Sequence, residues 1–296
     1  MQTVAFIGLG NMGQGMAANQ VRAGRRVLAY DLSSDACKTA KSNGCDIASS
    51  AGDAAADADG VITMLPAGQH VANVYDDEIL PKAKPGTLLV DCSTIDVPTA
   101  RAVAKTAKTA GFRAADAPVS GGTTAADAGT LAFMVGGEDA DFEKVDDLLG
   151  PMAKAVIRAG ASGAGQAAKI CNNMLLAIHM IGTCEAFALA EKLGLDADRF
   201  FDIAGQSSGQ NWSLSQYTPV KGVGPETPAD RGYVPGFAVD MMLKDLKLAQ
   251  EAAAGAGATT PLGAQAEALY AMLSGMGKGG KDFSAIIDLV APGTVN

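Results

Sequence analysis

Along the chain the apolar rhythm changes near residue 163. Before that point short apolar runs alternate with helical patterns, and after it nearly everything repeats at helical spacing. Thr3–Ile7 (T-V-A-F-I) suits a buried strand. It leads into Gly8-Leu9-Gly10-Asn11-Met12-Gly13, a helical stretch closed by Gly24, and a second strand, R-V-L-A-Y, that ends at Asp31. Val61–Leu65 reads as a strand stopped by Pro66, Leu88–Val90 as another, and Gly111–Ala115 leads into Asp116. Leu131–Val135 is a strand, Asp139–Leu149 a helix, and Val156–Ile157 a last short strand. This alternation predicts an α/β Rossmann-type domain with a mostly parallel, doubly wound sheet.

Gly165–Leu193 is one helical pattern without proline, closed by Gly194. Asp196–Ala204, Val239–Ala254, Pro261–Ser274 and Ser284–Val290 complete an all-α C-terminal half, with an irregular loop expected at Gly205–Gly236. We therefore expect a dinucleotide-binding domain at 1–162 and an all-helical substrate and oligomerisation domain at 163–296, joined by a long interdomain helix.

Composition narrows the function. The 296 residues are 48% hydrophobic and 19% charged, as in a folded globular chain. A net charge of −9 without clustered Lys and Arg argues against nucleic acid and against an anionic membrane surface. No stretch approaches ~18 uninterrupted apolar residues, so no membrane span is expected. The start runs straight into a strand with no basic leader, which reads as cytoplasmic. Cys37, Cys45, Cys92, Cys171 and Cys184 are scattered without a C-x-x-C and read as small buried hydrophobes in a reducing compartment. No His/Cys/Asp cluster has metal-ligand spacing, so no metal is expected.

The candidate chemistry begins at the first turn. Strand, G-x-G-x-x-G, helix, strand and terminal acid occur in the order that dinucleotide binding requires. Gly8 permits the tight turn, Gly10 lets the backbone approach a pyrophosphate, and Gly13 lets the helix pack on the strand. Asp31 suits the adenosine ribose hydroxyls and repels a 2′-phosphate. Leu32-Ser33-Ser34 supply no arginine to neutralise that phosphate, which favours NAD over NADP. Leu65, Pro66 and Thr94 lie at or just beyond strand ends. They fit either the nicotinamide end of the crevice or ordinary loops. His70, in the same loop region, reads as a surface residue.

Ser120-Gly121-Gly122 precedes a helix expected to begin near Thr123 or Thr124. The turn fits either a carboxylate pocket of backbone N–H groups and one hydroxyl, or a glycine turn required by packing. Lys169 and Asn173 stand at i and i+4, on one face of the long helix. A lysine at the start of such an apolar helix is costly unless it is used. Ser207-Ser208-Gly209 and Trp212, the only tryptophan, fit either a substrate pocket or, for Trp212, simple packing.

Taken together these segments resemble the β-hydroxyacid dehydrogenase family. The matching pieces are F-I-G-L-G-N-M-G-Q-G-M-A at 6–17, D-A-P-V-S-G-G at 116–122, G-A-G-Q-A-A-K-I-C-N-N at 163–173 and M-L-K-D-L at 242–246. S-S-G-Q-N-W-S at 207–213 looks like its hydroxyisobutyrate branch. The resemblance implies that Lys169 is the catalytic acid/base. It implies that Ser120, Gly121, Gly122 and Asn173, with Trp212 nearby, bind the substrate. Gly8, Gly10, Asn11, Met12, Gly13, Asp31, Leu65, Pro66, Thr94 and Lys244 would then serve the cofactor, NAD.

The implied reaction oxidises 3-hydroxyisobutyrate to methylmalonate semialdehyde in valine degradation, with reduction of tartronate or succinic semialdehyde as the alternative within the family. Lysine is a poor base at its ordinary pKa near ~10.4. Partial desolvation, the positive nicotinamide and Lys244 would all lower it, while the substrate carboxylate pulls the other way. The apolar long helix also leads us to expect a homodimer or homotetramer.

Overall fold

The computed structural model describes residues 1–293. The chain divides into two compact units, Met1–Lys169 and the remainder from Ile170. The split falls inside the long helix, Ala164–Lys192.

The first unit is a nine-stranded sheet. Its strands are β1 (Thr3–Ile7), β2 (Arg26–Tyr30), β3 (Asp46–Ile47), β4 (Gly60–Thr63), β5 (Leu88–Asp91), β6 (Arg113–Asp116), β7 (Val119–Ser120), β8 (Leu131–Gly136) and β9 (Ala153–Gly160). The order β3-β2-β1-β4-β5-β6-β8-β7, with β9 on β8, is parallel from β3 through β6. Successive side chains of β1 feed opposite faces of the sheet. Val4 and Phe6 join Met16, Ala29 and Ile62 on one side; Ala5 and Ile7 join Val61, Tyr75 and Leu89 on the other. The chain order reverses direction between β1 and β4, so their carboxyl ends open the crevice where ligands bind in such sheets.

Several expected boundaries move. β4 ends at Thr63, leaving Met64 and Leu65 in the loop beyond it. β9 has eight residues instead of the short Val156–Ile157 run, because it lies along β8 through most of that strand's length. The two-residue strand β7 pairs antiparallel with β8, which places Ser120 at a strand end. The helix after it starts at Gly122, earlier than Thr123, and runs to Ala128. His70 lies on a helix, Gly68–Val74, and is exposed. Cys171 is exposed and Cys37 half-buried, against the expectation that the cysteines are buried.

The second unit is helical: Ala197–Gly205, Val239–Ala256, Pro261–Leu273 and shorter turns. They enclose Phe187, Met242, Leu246, Tyr270, Leu273 and Phe283. The expected irregular loop is better ordered than its composition suggests. Asn211 caps a helical turn at Trp212–Ser215 by accepting from Leu214 N. Thr227 and Asp230 form a reciprocal capping box over Pro228–Arg231. The long helix has 29 residues and contains an 18-residue window of mean hydropathy 1.4, which by length and composition is enough to cross a bilayer. Its residues Ala177, Met180, Cys184 and Phe187 are instead spent on the core of the helical unit.

Candidate functional site

In the first unit the glycine loop is tied to the end of β2. Leu9 N donates to Asp31 Oδ2 at 2.7 Å, and Ser33 N donates to Oδ1 at 2.7 Å. The three glycines differ in what surrounds them. A Cβ on Gly8 would meet Met64 O at 2.2 Å, and one on Gly13 would meet Gly8 O at 2.0 Å, so both are glycine because protein packs against them. A Cβ on Gly10 meets nothing within 4 Å. Its missing side chain leaves open room beside the start of the helix Gly13–Arg22, where a pyrophosphate finds N–H donors and the positive end of the helix dipole. Gly8, Gly10, Gly13 and Asp31 thus fit a dinucleotide, with Asn11 exposed and Met12 half-buried in the same turn.

At the carboxyl ends of β4, β5 and β6 stands a buried polar row, Thr63, Asp91 and Asp116, in register across the strands. Asp91 Oδ1 accepts from Thr63 Oγ1 at 2.8 Å and from Ser93 Oγ at 2.6 Å. Burial, reinforced by the neighbouring charge of Asp116, pushes the Asp91 carboxyl up to about 6 despite those donors. Ser93 Oγ in turn accepts from Leu65 N at 2.8 Å, which fixes the loop carrying Leu65 and Pro66.

Asp116 holds the start of the long helix, accepting from Gly163 N at 2.6 Å and Gln166 N at 2.9 Å. Burial raises its pKa, with these backbone donors opposing the rise. Gln166 joins the same helix to the β5 loop. Its Nε2 donates to Ser93 O at 2.7 Å, and its Oε1 accepts from Ile95 N at 3.1 Å, on either side of Thr94. One turn further on, Lys169 is buried. Gly121 and Gly122 have φ of +137° and +69°, conformations that side-chain-bearing residues rarely adopt, so both glycines of the turn after Ser120 are required by its backbone.

In the helical unit Asn173 is buried, and its Nδ2 donates to the buried Asp245 Oδ2 at 2.6 Å. That contact fixes which end of the Asn173 amide is the acceptor. Lys244, beside Asp245 on Val239–Ala256, is half-buried. Trp212 is 49% exposed and stacks on Tyr217, ring centroids 4.9 Å apart. Tyr217 stacks on Phe283 at 5.3 Å and donates to Asp282. Packing therefore explains one face of Trp212 and leaves the other open.

The structure adds residues to which no sequence motif assigned a role: Asp91, Ser93, Asp116, Gln166, Asp245 and Asp282. Their signal in the sequence is an acid, amide or hydroxyl at a strand end, a helix start or an apolar helix face. Only the fold shows that these positions are buried.

A Rossmann sheet with this glycine loop and acid, followed by a helical unit, defines an NAD-binding oxidoreductase. Comparison with known proteins agrees. Residues 3–165 match the NAD-binding domain of 6-phosphogluconate dehydrogenase, and residues 163–290 match the NAD-binding region of NADP-dependent 3-hydroxyisobutyrate dehydrogenase. The chain is 47% identical over 287 residues to a probable 3-hydroxyisobutyrate dehydrogenase of Mycobacterium tuberculosis, covering 97% of each. It is equally 47% identical, over 294 residues and 99% of each chain, to an NAD-dependent L-serine dehydrogenase of Pseudomonas aeruginosa. A solved structure of Mycobacterium tuberculosis 3-hydroxyisobutyrate dehydrogenase with L-serine matches with a TM-score of 0.95 at 47% identity, over 98% of this chain and 99% of that one. The chain belongs to the β-hydroxyacid dehydrogenase family.

Proposed function

We propose that this enzyme oxidises 3-hydroxyisobutyrate to methylmalonate semialdehyde, a step of valine breakdown, with Lys169 as general acid/base. The observation that carries the proposal is a buried lysine near the start of the long helix, within a sequence segment that matches the family's catalytic motif. A cation in that setting is costly to keep without a use. NAD, when bound, supplies the acceptor for the hydride. The chain's own residues do the rest. Lys169 Nζ takes the hydroxyl proton during oxidation and returns it during reduction. Ser120, Gly121 and Gly122 hold the substrate carboxylate, and Asn173 orients the hydroxyl. Lys244 and Thr94 face the cofactor, and Trp212 borders the substrate.

L-serine is the second reading, favoured by the name of the Pseudomonas relative and by the ligand in the mycobacterial structure. It has the same 3-hydroxy acid skeleton, with an amino group in place of the methyl. A homo-oligomer is part of the proposal, since Leu175, Leu189 and Leu193, along and just past the long helix, are exposed apolar residues.

A panel of hydroxy acids with NAD⁺, followed by absorbance of the reduced cofactor, tests the substrate. The highest kcat/KM is expected for 3-hydroxyisobutyrate, and a higher value for L-serine would replace it. Lys169→Ala is expected to lower kcat by about 10²–10⁴-fold with NAD binding retained. Turnover within twofold of the parent would remove Lys169 from the mechanism.

A further inference from the structure

Between the proposed catalytic lysine and the proposed nicotinamide loop lies a side chain to which neither the motifs nor the chemistry assigned a task. Gln166 is fully buried, three residues before Lys169 on the first turn of the long helix. Both ends of its amide are used, and both meet main chain rather than side chain: Nε2 donates to Ser93 O and Oε1 accepts from Ile95 N. These two groups flank Thr94. Ser93 is itself fixed through its Oγ, which accepts from Leu65 N and donates to Asp91. The Gln166 backbone N–H is held by Asp116. One amide thus joins the loop after β4, the loop after β5 and the helical turn that carries Lys169 into a continuous hydrogen-bonded frame within the first unit.

A glutamine is an expensive way to fill that volume, because its loss of water must be repaid by two correctly oriented partners. Methionine would fill the same space without that demand. The amide adds geometry. A donor facing a carbonyl and an acceptor facing an N–H fix both the plane and the direction of the side chain, and so the position of the helix start against the Thr94 loop.

We propose that Gln166 is a positioning residue for the transfer step, setting Lys169 against the Thr94 loop rather than binding substrate or cofactor. This rests on the reading of Lys169 as acid/base given above. Misplacement of a reacting group by about 1 Å costs on the order of 10²-fold in rate, while binding contacts made elsewhere persist.

The test uses the full-length enzyme with NAD⁺ and its best hydroxy acid. Gln166→Met, which keeps volume and removes both hydrogen bonds, is expected to lower kcat by about 10- to 100-fold. KM for the acid and Kd for NAD⁺ should stay within about threefold. Adding it to Lys169→Ala should cost little beyond Lys169→Ala alone, since residues that act as a unit are not additive. Gln166→Glu supplies a second readout that does not depend on the Met variant folding. Its neutral acid reproduces one donor and one acceptor, so its kcat relative to the parent should rise as pH falls.

A folded Gln166→Met enzyme with parental kcat, or full additivity with Lys169→Ala, overturns the inference. So does a Gln166→Glu ratio that is flat with pH. If Lys169→Ala is inactive and Gln166→Met is not, only this inference fails; if Lys169→Ala is itself active, the acid/base reading fails and takes this one with it.

Discussion

Asp31 is bonded to the loop it is meant to serve: its Oδ2 accepts from Leu9 N at 2.7 Å while Oδ1 accepts from Ser33 N. The acid pins the glycine turn against the end of β2, a task that a sequence motif cannot separate from the expected repulsion of a 2′-phosphate. The next residue, Leu32, is 92% exposed, so an arginine placed there disturbs no packing. Asp31→Ala combined with Leu32→Arg is expected to raise the NADP to NAD ratio of kcat/KM by about 10- to 100-fold, the worth of a charge-assisted hydrogen bond. It should also cost about 1–3 kcal/mol of stability through the lost backbone ties. Kinetics with both cofactors and urea unfolding measure the two effects separately. An unchanged ratio would mean that Asp31 only holds the turn.

Gly10 and Gly13 should part company in the same way. The Cβ of Gly13→Ala meets a backbone oxygen at 2.0 Å, so the helix must shift, with an expected loss of about 1–3 kcal/mol. The Cβ of Gly10→Ala meets none of the described residues within 4 Å, and Gly10 is not among the positive-φ glycines, so the variant's melting temperature should match the parent. Its NAD affinity should nevertheless fall, by about tenfold or more, because the methyl fills the space left for the pyrophosphate. Thermal melts and cofactor titration of both variants check the contrast. Equal NAD affinity in Gly10→Ala and the parent would place the phosphates elsewhere.

The parts of the molecule legible in the sequence are those where a local rule and the fold agree. β1, the glycine turn and Asp31 follow one another within a single supersecondary unit, so periodicity and turn chemistry suffice. The long helix is uninterrupted by proline and is found within one residue of its expected ends. β9 was read too short because it borrows its length from β8, a long-range pairing that its mixed K-A-V-I-R pattern does not announce. Asp91 and Asp116 carry no local signal of burial in the sequence. Their burial comes from register between strands more than twenty residues apart in sequence. Gln166 was invisible as a framework residue for the same reason, since both of its partners lie on another loop.

Asp282 holds the loop segment around Phe237 in the helical unit. Fully buried, it accepts from Tyr217 Oη, Gly236 N and Phe237 N on Oδ2, and from Ser284 N and Oγ on Oδ1. Asp282→Ala leaves these donors buried without an acceptor, so a loss of about 3 kcal/mol or more is expected. The only tryptophan stacks on Tyr217, so Trp212 fluorescence reports the change directly. A parental emission spectrum and unfolding midpoint would show that the Trp212–Tyr217–Phe283 stack holds without the acid.

The pH dependence of stability takes its sign from Asp91. The carboxyl is raised to about 6 by burial, with Asp116 adding to the rise, and Oδ2 has no hydrogen-bond partner among the described residues. Between an ordinary carboxylate pKa near ~4 and about 6, the folded chain therefore keeps a proton that the unfolded chain has released. Stability from this group is fully present below pH ~4 and is lost as pH rises through about 6. Asp91→Asn cannot titrate, so the stability of the parent relative to the variant should decline over that interval, by on the order of 3 kcal/mol, and level off above it. Asp53, held down to about 2 chiefly by Lys82, and Asp59, held down by the Thr3 and Gln2 backbone, act with the opposite sign at lower pH. They are common to both proteins and cancel in the difference. Urea unfolding of the pair from pH 4 to 7 measures it, and a difference that does not vary with pH would show Asp91 ionised throughout.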